Sequence, residues 1–277
     1  MNYSNQGFQT NAMSNPVIRR LGRVTEVAGE KGAATYRGIA GKTIYFLMMT
    51  VVGIVAYYIL HNIWAAGEAA ISIPADSGTF TISMQEIVVV FGCIIVAILV
   101  PILTWFIRGG VAFFGTIYGL AQGYLVGFMG FVYGGAYQYL VWLALVITLV
   151  IVFVMLMLYT TRTVRVTEKF NMVIRTLFFT CLCSGVVMLF GMLIPVTAPM
   201  VRTMAANPVI SIISSVIFIV IAALFLLSDF DVIEKTVEYQ LPKKYEWNAA
   251  FGLAMTVIWL YLKILRLLMK IRRFGKR

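Results

Sequence analysis

Two carboxylates lie two residues apart at the end of a long apolar run, in the stretch FLLSDFDVIEK that covers residues 225–235. On a helix, where successive residues are about 100° apart, Asp231 shares a stripe with other charged residues. Asp231 and Lys235 also have the i,i+4 spacing of an ion pair. This stripe is typical of a solvated face, whereas Asp229 falls on an apolar face together with Phe225. The sequence therefore predicts different surroundings for the two acids.

Asp229 is the first candidate for a gating residue. An acid inside a membrane segment normally faces the interior of a helix bundle or a water-filled cavity, and it often marks the path of an ion or a proton. A sheltered carboxyl group at this place could act as a proton-operated latch. The alternative is that the helix ends at Leu227 and that both acids lie among the lipid headgroups.

The third apolar segment contains a regular series of glycines at Gly115, Gly119, Gly123 and Gly127. Small residues at intervals of four allow two helix backbones to approach closely, so this series predicts a helix-packing face. A flexible helix that lines a pore is the alternative. Gln122 lies in the same segment, where an interhelical hydrogen bond is its simplest role.

Three further residues are candidates for packing or for the ion path. Gly252 and Lys263 fall in one sector of the last apolar segment, and Lys263 either extends towards the membrane surface or faces a partner across the bundle. Arg108 ends the second segment, seven residues after Pro101. A proline kink there could open a cavity next to this arginine.

The sequence lacks the motifs of the common enzyme classes. His61 is the only histidine, and no metalloprotease, nucleophile-elbow or phosphate-loop motif occurs. The three cysteines all lie inside apolar runs, which does not fit a zinc site or a disulfide framework. We therefore expect no enzymatic activity and no cofactor.

The composition predicts an all-α, polytopic integral membrane protein. Of the 277 residues, 61% are apolar and only 12% are charged, and the mean hydropathy is +0.92. The apolar and charged fractions both depart strongly from those of soluble domains. Segments of about twenty apolar residues, enough to cross a hydrocarbon core, occur seven times, near residues 43–64, 86–107, 111–134, 138–159, 172–196, 208–230 and 248–268.

The basic residues divide the chain into two parts and predict its orientation. Residues 1–40 form a polar and basic arm, partly disordered, whose later part is either a helix on the membrane surface or a solvated linker. Residues 41–277 form the membrane domain with a short basic tail. Lysines and arginines concentrate in alternate loops, which places the N-terminus in the cytoplasm. The same distribution argues against nucleic-acid binding.

The orientation of the tail stays open at this stage. Seven spans with a cytoplasmic N-terminus would put the basic tail outside, against the charge rule. Either the early loops set the topology and the tail follows, or the last helix does not fully cross the membrane.

Several stretches resemble the bacterial, YccA-like branch of the Bax inhibitor-1 family. They are SNPVIRRLGR, TYRGIAGKT, IYGLAQGYLVG, MLMLYTTRTVRVTEKF and YEWNAAFGLAMTVIWLYLKILRLL, in order over about residues 14–273. The resemblance implies a seven-helix bundle with the last helix at its centre. It also implies a calcium-leak path plugged by two aspartates on the sixth and seventh helices, with an arginine on the second helix as a latch.

Not every functional position of that family has its usual residue here. Asp229 resembles the sixth-helix acid and Arg108 the latch arginine, whereas Met255 stands where the seventh-helix acid is expected. Relatives commonly carry glutamate at the positions of Gln122 and Lys263. The resemblance thus implies a site with fewer carboxylates and one added ammonium group.

Three functions follow as hypotheses. The first is a pH-sensitive calcium or cation leak channel in the bacterial cytoplasmic membrane, gated near Asp229. The second is a non-conducting protein that binds other membrane proteins, such as proteases, through the arm 1–40 and the glycine face. The third is a small-solute transporter, although the paired interrupted helices of many transporters are missing.

Overall fold

The computed structural model describes residues 32–65, 70–75, 78–106, 109–134, 138–164, 166–194 and 196–274, without some of their side chains. The predicted helix of the basic arm lies outside these residues. The elements are α1 (Tyr36–Ala65), β1 (Ala70–Ala75), β2 (Gly78–Ser83), α2 (Met84–Phe106), α3 (Val111–Gly134), α4 (Gln138–Thr160), α5 (Glu168–Leu193), α6 (Ala198–Ala206), α7 (Pro208–Glu238) and α8 (Lys244–Phe274).

The prediction of a polytopic helical membrane protein is confirmed in its main features. Among the described residues, six helices are long and apolar enough to cross a membrane, namely α1, α2, α3, α4, α7 and α8. The remaining predicted segment, 172–196, coincides with α5, part of whose side chains are outside the description. The count of seven spans therefore stays a prediction.

A β-hairpin interrupts the helical pattern between α1 and α2. Strands β1 and β2 are antiparallel, and Ala75 pairs with Gly78 next to the turn. The predicted apolar segments 43–64 and 86–107 imply a loop between them, and this prediction is wrong for residues 70–75 and 78–83. In β1 Ile71 and Ile73 alternate with Ser72 and Pro74, and in β2 Thr79 and Thr81 alternate with Phe80 and Ile82. Short alternation rich in β-branched residues favours strands.

Helix α7 has clear signals at its start and extends further than predicted. Asn207 caps it, with its side-chain oxygen accepting a hydrogen bond from Val209 N at 3.0 Å, and Pro208 occupies the first turn. The helix then continues to Glu238 instead of ending near residue 230. The alternative in which it ends at Leu227 is therefore wrong, and both acids are helical.

Helix α8 lies at the centre of the bundle. It contacts α1, α3, α4 and α7. Its residues Phe251 and Ala254 belong to a buried cluster shared with α1 and α3, while Leu260 and Ile264 belong to a second cluster shared with α4 and α7. With 31 residues, the helix is about 46 Å long, more than a hydrocarbon core requires. The helix is long enough to cross, but the side of the membrane on which the basic tail lies stays a prediction.

The four-residue glycine series of α3 faces α1. A methyl group on Gly123 would overlap the carbonyl oxygen of Thr50 and lie 2.9 Å from Gly53 Cα. Gly115, Gly119 and Gly127 also have α1 side chains or backbone against them. The two helices therefore approach backbone to backbone, which fixes α3 and α1 as one rigid side of the bundle.

Candidate functional site

Three acids near the end of α7 face three different helices. Asp229 points towards α8, Asp231 towards α5, and Glu234 towards the end of α4. The spacing explains this divergence, because steps of two and three residues rotate the side chain by about 200° and 300°. Residues 225–235 of α7 therefore contact three neighbouring helices.

Asp229 lies in the interface between α7 and α8. Its Oδ1 is 3.4 Å from the position that a Cβ on Gly252 would occupy, and Thr256 lies beside the same carboxyl group. Its Oδ2 is buried and makes no hydrogen bond within the described part of the chain. A buried oxygen without a hydrogen-bond partner is costly, and an acid inside a membrane segment is a candidate functional residue.

Asp231 is not on a solvated face, and this expectation was wrong. The residue is only 8% exposed, because α5 covers this side of α7. Its Oδ2 accepts hydrogen bonds from Lys235 Nζ at 2.6 Å and from Asn171 Nδ2 at 3.5 Å. The i,i+4 pair with Lys235 is present as expected, but Asn171 on α5 holds the carboxylate as well.

Glu234 connects α7 to the end of α4. Its two carboxylate oxygens accept hydrogen bonds from the hydroxyl of Tyr159 and from the guanidinium of Arg162. Arg162 has a positive φ of 55°, which turns the chain after α4 and brings its side chain towards α7. This acid therefore has a fixed structural partner and is a poor candidate for the ion path.

A cavity of about 860 Å³ opens between α5 and α7. Its wall includes one acid, one ammonium group and several polar side chains, together with apolar groups, and the lining residues are Glu168, Asn171, Met172, Thr176, Phe179, Thr180, Cys183 and Lys235. Lys235 and Asn171, the two partners of Asp231, line the cavity, but Asp231 itself does not, and Asp229 lies on another face of α7. The two acids that the sequence singled out do not share one site.

Two lysine side chains of α8 lie against the first half of α7. Lys263 Nζ lies 4.1 Å from the ring centre of Phe218 and 5.4 Å from that of Trp259. Further along, Lys270 Nζ donates hydrogen bonds to Ser215 Oγ at 2.8 Å and to the carbonyl oxygen of Ser211. Lys263 therefore faces α7 across the bundle, which is the second of its two predicted roles.

Gln122 and Arg108 do not join the acids. Gln122 is buried beside Tyr118, one turn earlier on α3, and the interhelical hydrogen bond expected for it is not among those that the described residues make. Arg108 lies outside the described residues, so its predicted role as a latch stays a prediction. Among the predicted packing residues, Gly252 lies opposite Asp229, since a Cβ at Gly252 would be 3.4 Å from Asp229 Oδ1.

Sequence reasoning missed a buried carboxylate at the start of α8. Glu246 is 2% exposed and forms an ion pair with Lys42 of α1. Its Oε1 also accepts a hydrogen bond from Thr35 N at 2.9 Å, and the carboxyl group fits against Gly38, where a methyl group would clash with it. The stretches TYRGIAGKT and YEWNAAFG, noted above only for their resemblance, are therefore in contact.

A second missed pair joins α1 to the start of α2. His61 Nδ1 lies 2.6 Å from Glu86 Oε1, and both side chains are buried. Ser83 and Glu86 form a reciprocal capping box, since each accepts the other's backbone N–H, at 2.9 and 3.2 Å. The Ser-x-x-Glu spacing could have predicted this cap, but not the histidine, which is 25 positions away in sequence.

These features define a multi-pass helical membrane protein in which a central last helix packs against an acid-bearing helix. Comparison with protein families then gives a more specific assignment. The family model described as Bax inhibitor 1 like matches residues 15–273, and the chain belongs to this family. No curated protein compared with the chain matches it.

Proposed function

We propose that this protein is a pH-sensitive cation leak channel, with calcium as the first candidate ion, that is closed near Asp229. The observation that carries the proposal is the enclosed carboxyl group between α7 and α8, with one oxygen that has no hydrogen-bond partner in the described residues. A change in the charge of this group alters the interaction between the two helices. The resemblance to calcium-conducting relatives points in the same direction.

The arrangement corresponds to a closed path. The carboxyl group of Asp229 packs directly against Gly252, with buried Thr256 beside it, and the cavity between α5 and α7 has its opening on another side of α7. A cation can pass this point only when α7 and α8 separate. Gly252 makes this separation the natural movement, because no side chain of its own fills the space opposite the acid.

The proposal includes an orientation and a membrane. The concentration of basic residues in alternate loops supports a cytoplasmic N-terminus in a bacterial inner membrane. Asp229 is nine residues from the end of α7 at Glu238. With a cytoplasmic N-terminus and with α5 as the fifth of seven spans, this end of α7 would lie in the cytoplasmic half of the membrane. The gate would therefore respond to the cytoplasmic pH.

The test is calcium flux into liposomes that contain the purified full-length chain, measured at acid and neutral pH. The wild type should give flux that depends on pH, and Asp229→Asn should remove this dependence, because asparagine has the same shape but does not titrate. Glu238→Gln is the matched control, since Glu238 is an exposed acid on the same helix. Flux equal to that of empty liposomes at both pH values, or an unchanged pH dependence in Asp229→Asn, would reject the proposal.

A further inference from the structure

The cavity between α5 and α7 has charged groups at one end. Glu168 is the first residue of α5, and Lys235 lies in the last turn of α7, so both belong to the end at which the two helices are joined. Asn171 makes this connection, since its Nδ2 donates to Asp231 Oδ2 and its Oδ1 accepts a hydrogen bond from Ser228 Oγ at 2.9 Å. An acid and an ammonium group therefore line the same end of the cavity.

The rest of the cavity wall follows one face of α5 and is mainly apolar. It is formed by Met172, Thr176, Phe179, Thr180 and Cys183. The hydroxyl of Thr176 donates to the carbonyl oxygen of Met172, and the hydroxyl of Thr180 donates to that of Thr176, both at 2.9 Å. Because their own helix satisfies these hydroxyls, neither needs a partner in the cavity. The far end of the cavity thus offers apolar surface to a ligand.

The cavity extends over about the depth of one membrane leaflet. Cys183 comes 15 residues after Glu168 on α5, which corresponds to about 22 Å along the helix. The headgroups and the hydrocarbon of one leaflet together take up about 20–22 Å, half of the bilayer. With α5 as the fifth span, the charged end of the cavity would lie among the headgroups and the apolar end near the middle of the membrane.

The charges suit a headgroup that has one positive and one negative charge. Lys235 Nζ donates to Asp231 Oδ2 at 2.6 Å, so a buried acid holds this ammonium group in place. An ammonium group has three donors, and the Lys235 side chain is 46% exposed, which leaves donors for an anionic group in the cavity. Glu168 is exposed and can accept hydrogen bonds from a cationic group. An anionic headgroup without an ammonium group would leave Glu168 unpaired.

We infer that the cavity between α5 and α7 is a binding groove for a zwitterionic phospholipid with a primary ammonium group, namely phosphatidylethanolamine. The ammonium group of the lipid pairs with Glu168, its phosphate accepts hydrogen bonds from Lys235, and one acyl chain lies along α5 as far as Cys183. Both headgroup charges then have partners, and the chain covers the apolar wall. This inference goes beyond the proposed leak function and does not depend on it.

The experiment is native mass spectrometry of the delipidated full chain in detergent, with phosphatidylethanolamine or phosphatidylglycerol of the same acyl chains added stepwise. The wild type should bind phosphatidylethanolamine about two- to fivefold more tightly, the gain expected from one exposed charge pair. Glu168→Gln should remove this preference. Glu238→Gln is the matched control, because it changes an exposed acid near the same end of α7, and it should keep the preference.

Labelling of Cys183 shows whether the lipid lies in this groove. In the delipidated protein with Cys183 as its only cysteine, water should reach the cavity, and a water-soluble thiosulfonate should react with the thiol. Saturating phosphatidylethanolamine should slow this reaction.

A second variant tests the apolar end of the groove. Cys183→Trp fills this end without a change of charge, so it should weaken the binding of both lipids several-fold. Cys183 is exposed, so the larger side chain should leave folding intact, and an unfolding temperature close to that of the wild type checks this.

Equal affinities of the wild type for the two lipids would overturn the inference, and so would a preference that persists in Glu168→Gln or disappears in Glu238→Gln. A labelling rate of Cys183 that saturating lipid leaves unchanged would overturn it too, because the lipid would then bind elsewhere. A mass of two chains without bound lipid, together with an unreactive Cys183, would assign the groove to a second copy of the protein and contradict the inference as well.

Discussion

Lys42 of α1 forms an ion pair with the buried carboxylate of Glu246 at the start of α8. Thr35 donates its backbone N–H to the same carboxylate, and Ala34 N donates to the carbonyl oxygen of Leu241 at 2.8 Å. The first turn of α1 is thereby fastened to the turn that leads into the central helix. A movement that separates the start of α8 from α1 would therefore have to break this ion pair and these hydrogen bonds.

Removal of the carboxylate should destabilise the protein. Glu246→Gln leaves the ammonium group of Lys42 without its counterion and weakens two hydrogen bonds from Thr35, so we expect the free energy of unfolding to fall by about 1–3 kcal/mol. The measurement is thermal unfolding in detergent. Glu238→Gln, which changes an exposed acid of α7, should leave the unfolding temperature near the wild-type value, and equal stability of the two variants would contradict the importance of the connection.

The close contact between α1 and α3 predicts opposite effects on stability for two glycine-to-alanine substitutions. Gly123→Ala places a methyl group against the backbone at Thr50 and Gly53, and it should lower the free energy of unfolding by about 1–3 kcal/mol, because backbone atoms cannot give way as side chains do. Gly41→Ala on α1 meets no atom within 4 Å and should gain about 0.5–1 kcal/mol through helix propensity. Both changes in the free energy of unfolding can be measured by thermal unfolding. Equal stabilities of the two variants would show that α1 and α3 can move apart at no cost in free energy.

Lys263 should oppose the passage of cations along α7 and α8. Its ammonium group lies over Phe218 in the interface, so Lys263→Met should raise calcium flux by roughly two- to tenfold at low ionic strength, and added salt should reduce the difference. Arg266→Met is the control on the same helix, because Arg266 is exposed, and its flux should remain near that of the wild type. Unchanged or reduced flux in Lys263→Met would place the cation path elsewhere.

Labelling of Cys183 can test whether water reaches the cavity between α5 and α7. It lines the cavity and is exposed. In a variant whose other two cysteines are alanine, it should react with charged, membrane-impermeant thiosulfonates, because a thiolate formed in contact with water attacks the thiosulfonate sulfur and displaces the sulfinate. Since the wall carries one acid and one ammonium group, a cationic and an anionic reagent of the same size should react at similar rates.

The control for this labelling is a cysteine on the lipid-facing surface. Val150 is an exposed residue of α4. Val150→Cys, in a variant whose three native cysteines are alanine, should react slowly with both reagents. Equal rates at the two positions would show that the cavity is filled by lipid.

Much of the fold follows from the order of residues along the chain. Hydrophobic runs long enough for a membrane predict the helices, and the four-residue glycine series of α3 predicts a face for close packing, because both depend on local composition and on the helical period. The Asn207-Pro208 pair marks the start of α7 for the same local reason. The hairpin at residues 70–83 was missed because its alternation is short and lies in a loop between two strong helical signals.

The functional arrangement depended on tertiary structure. The sequence showed that Asp229 and Asp231 point to different sides of α7, since the period of the helix fixes that angle. It could not show which helix covers each side, and the cover of α5 is what buries Asp231. Likewise, Glu246 with Lys42 and His61 with Glu86 are far apart in sequence, and only the packing of helices brings their charges together, because burial and pairing are properties of neighbours in space.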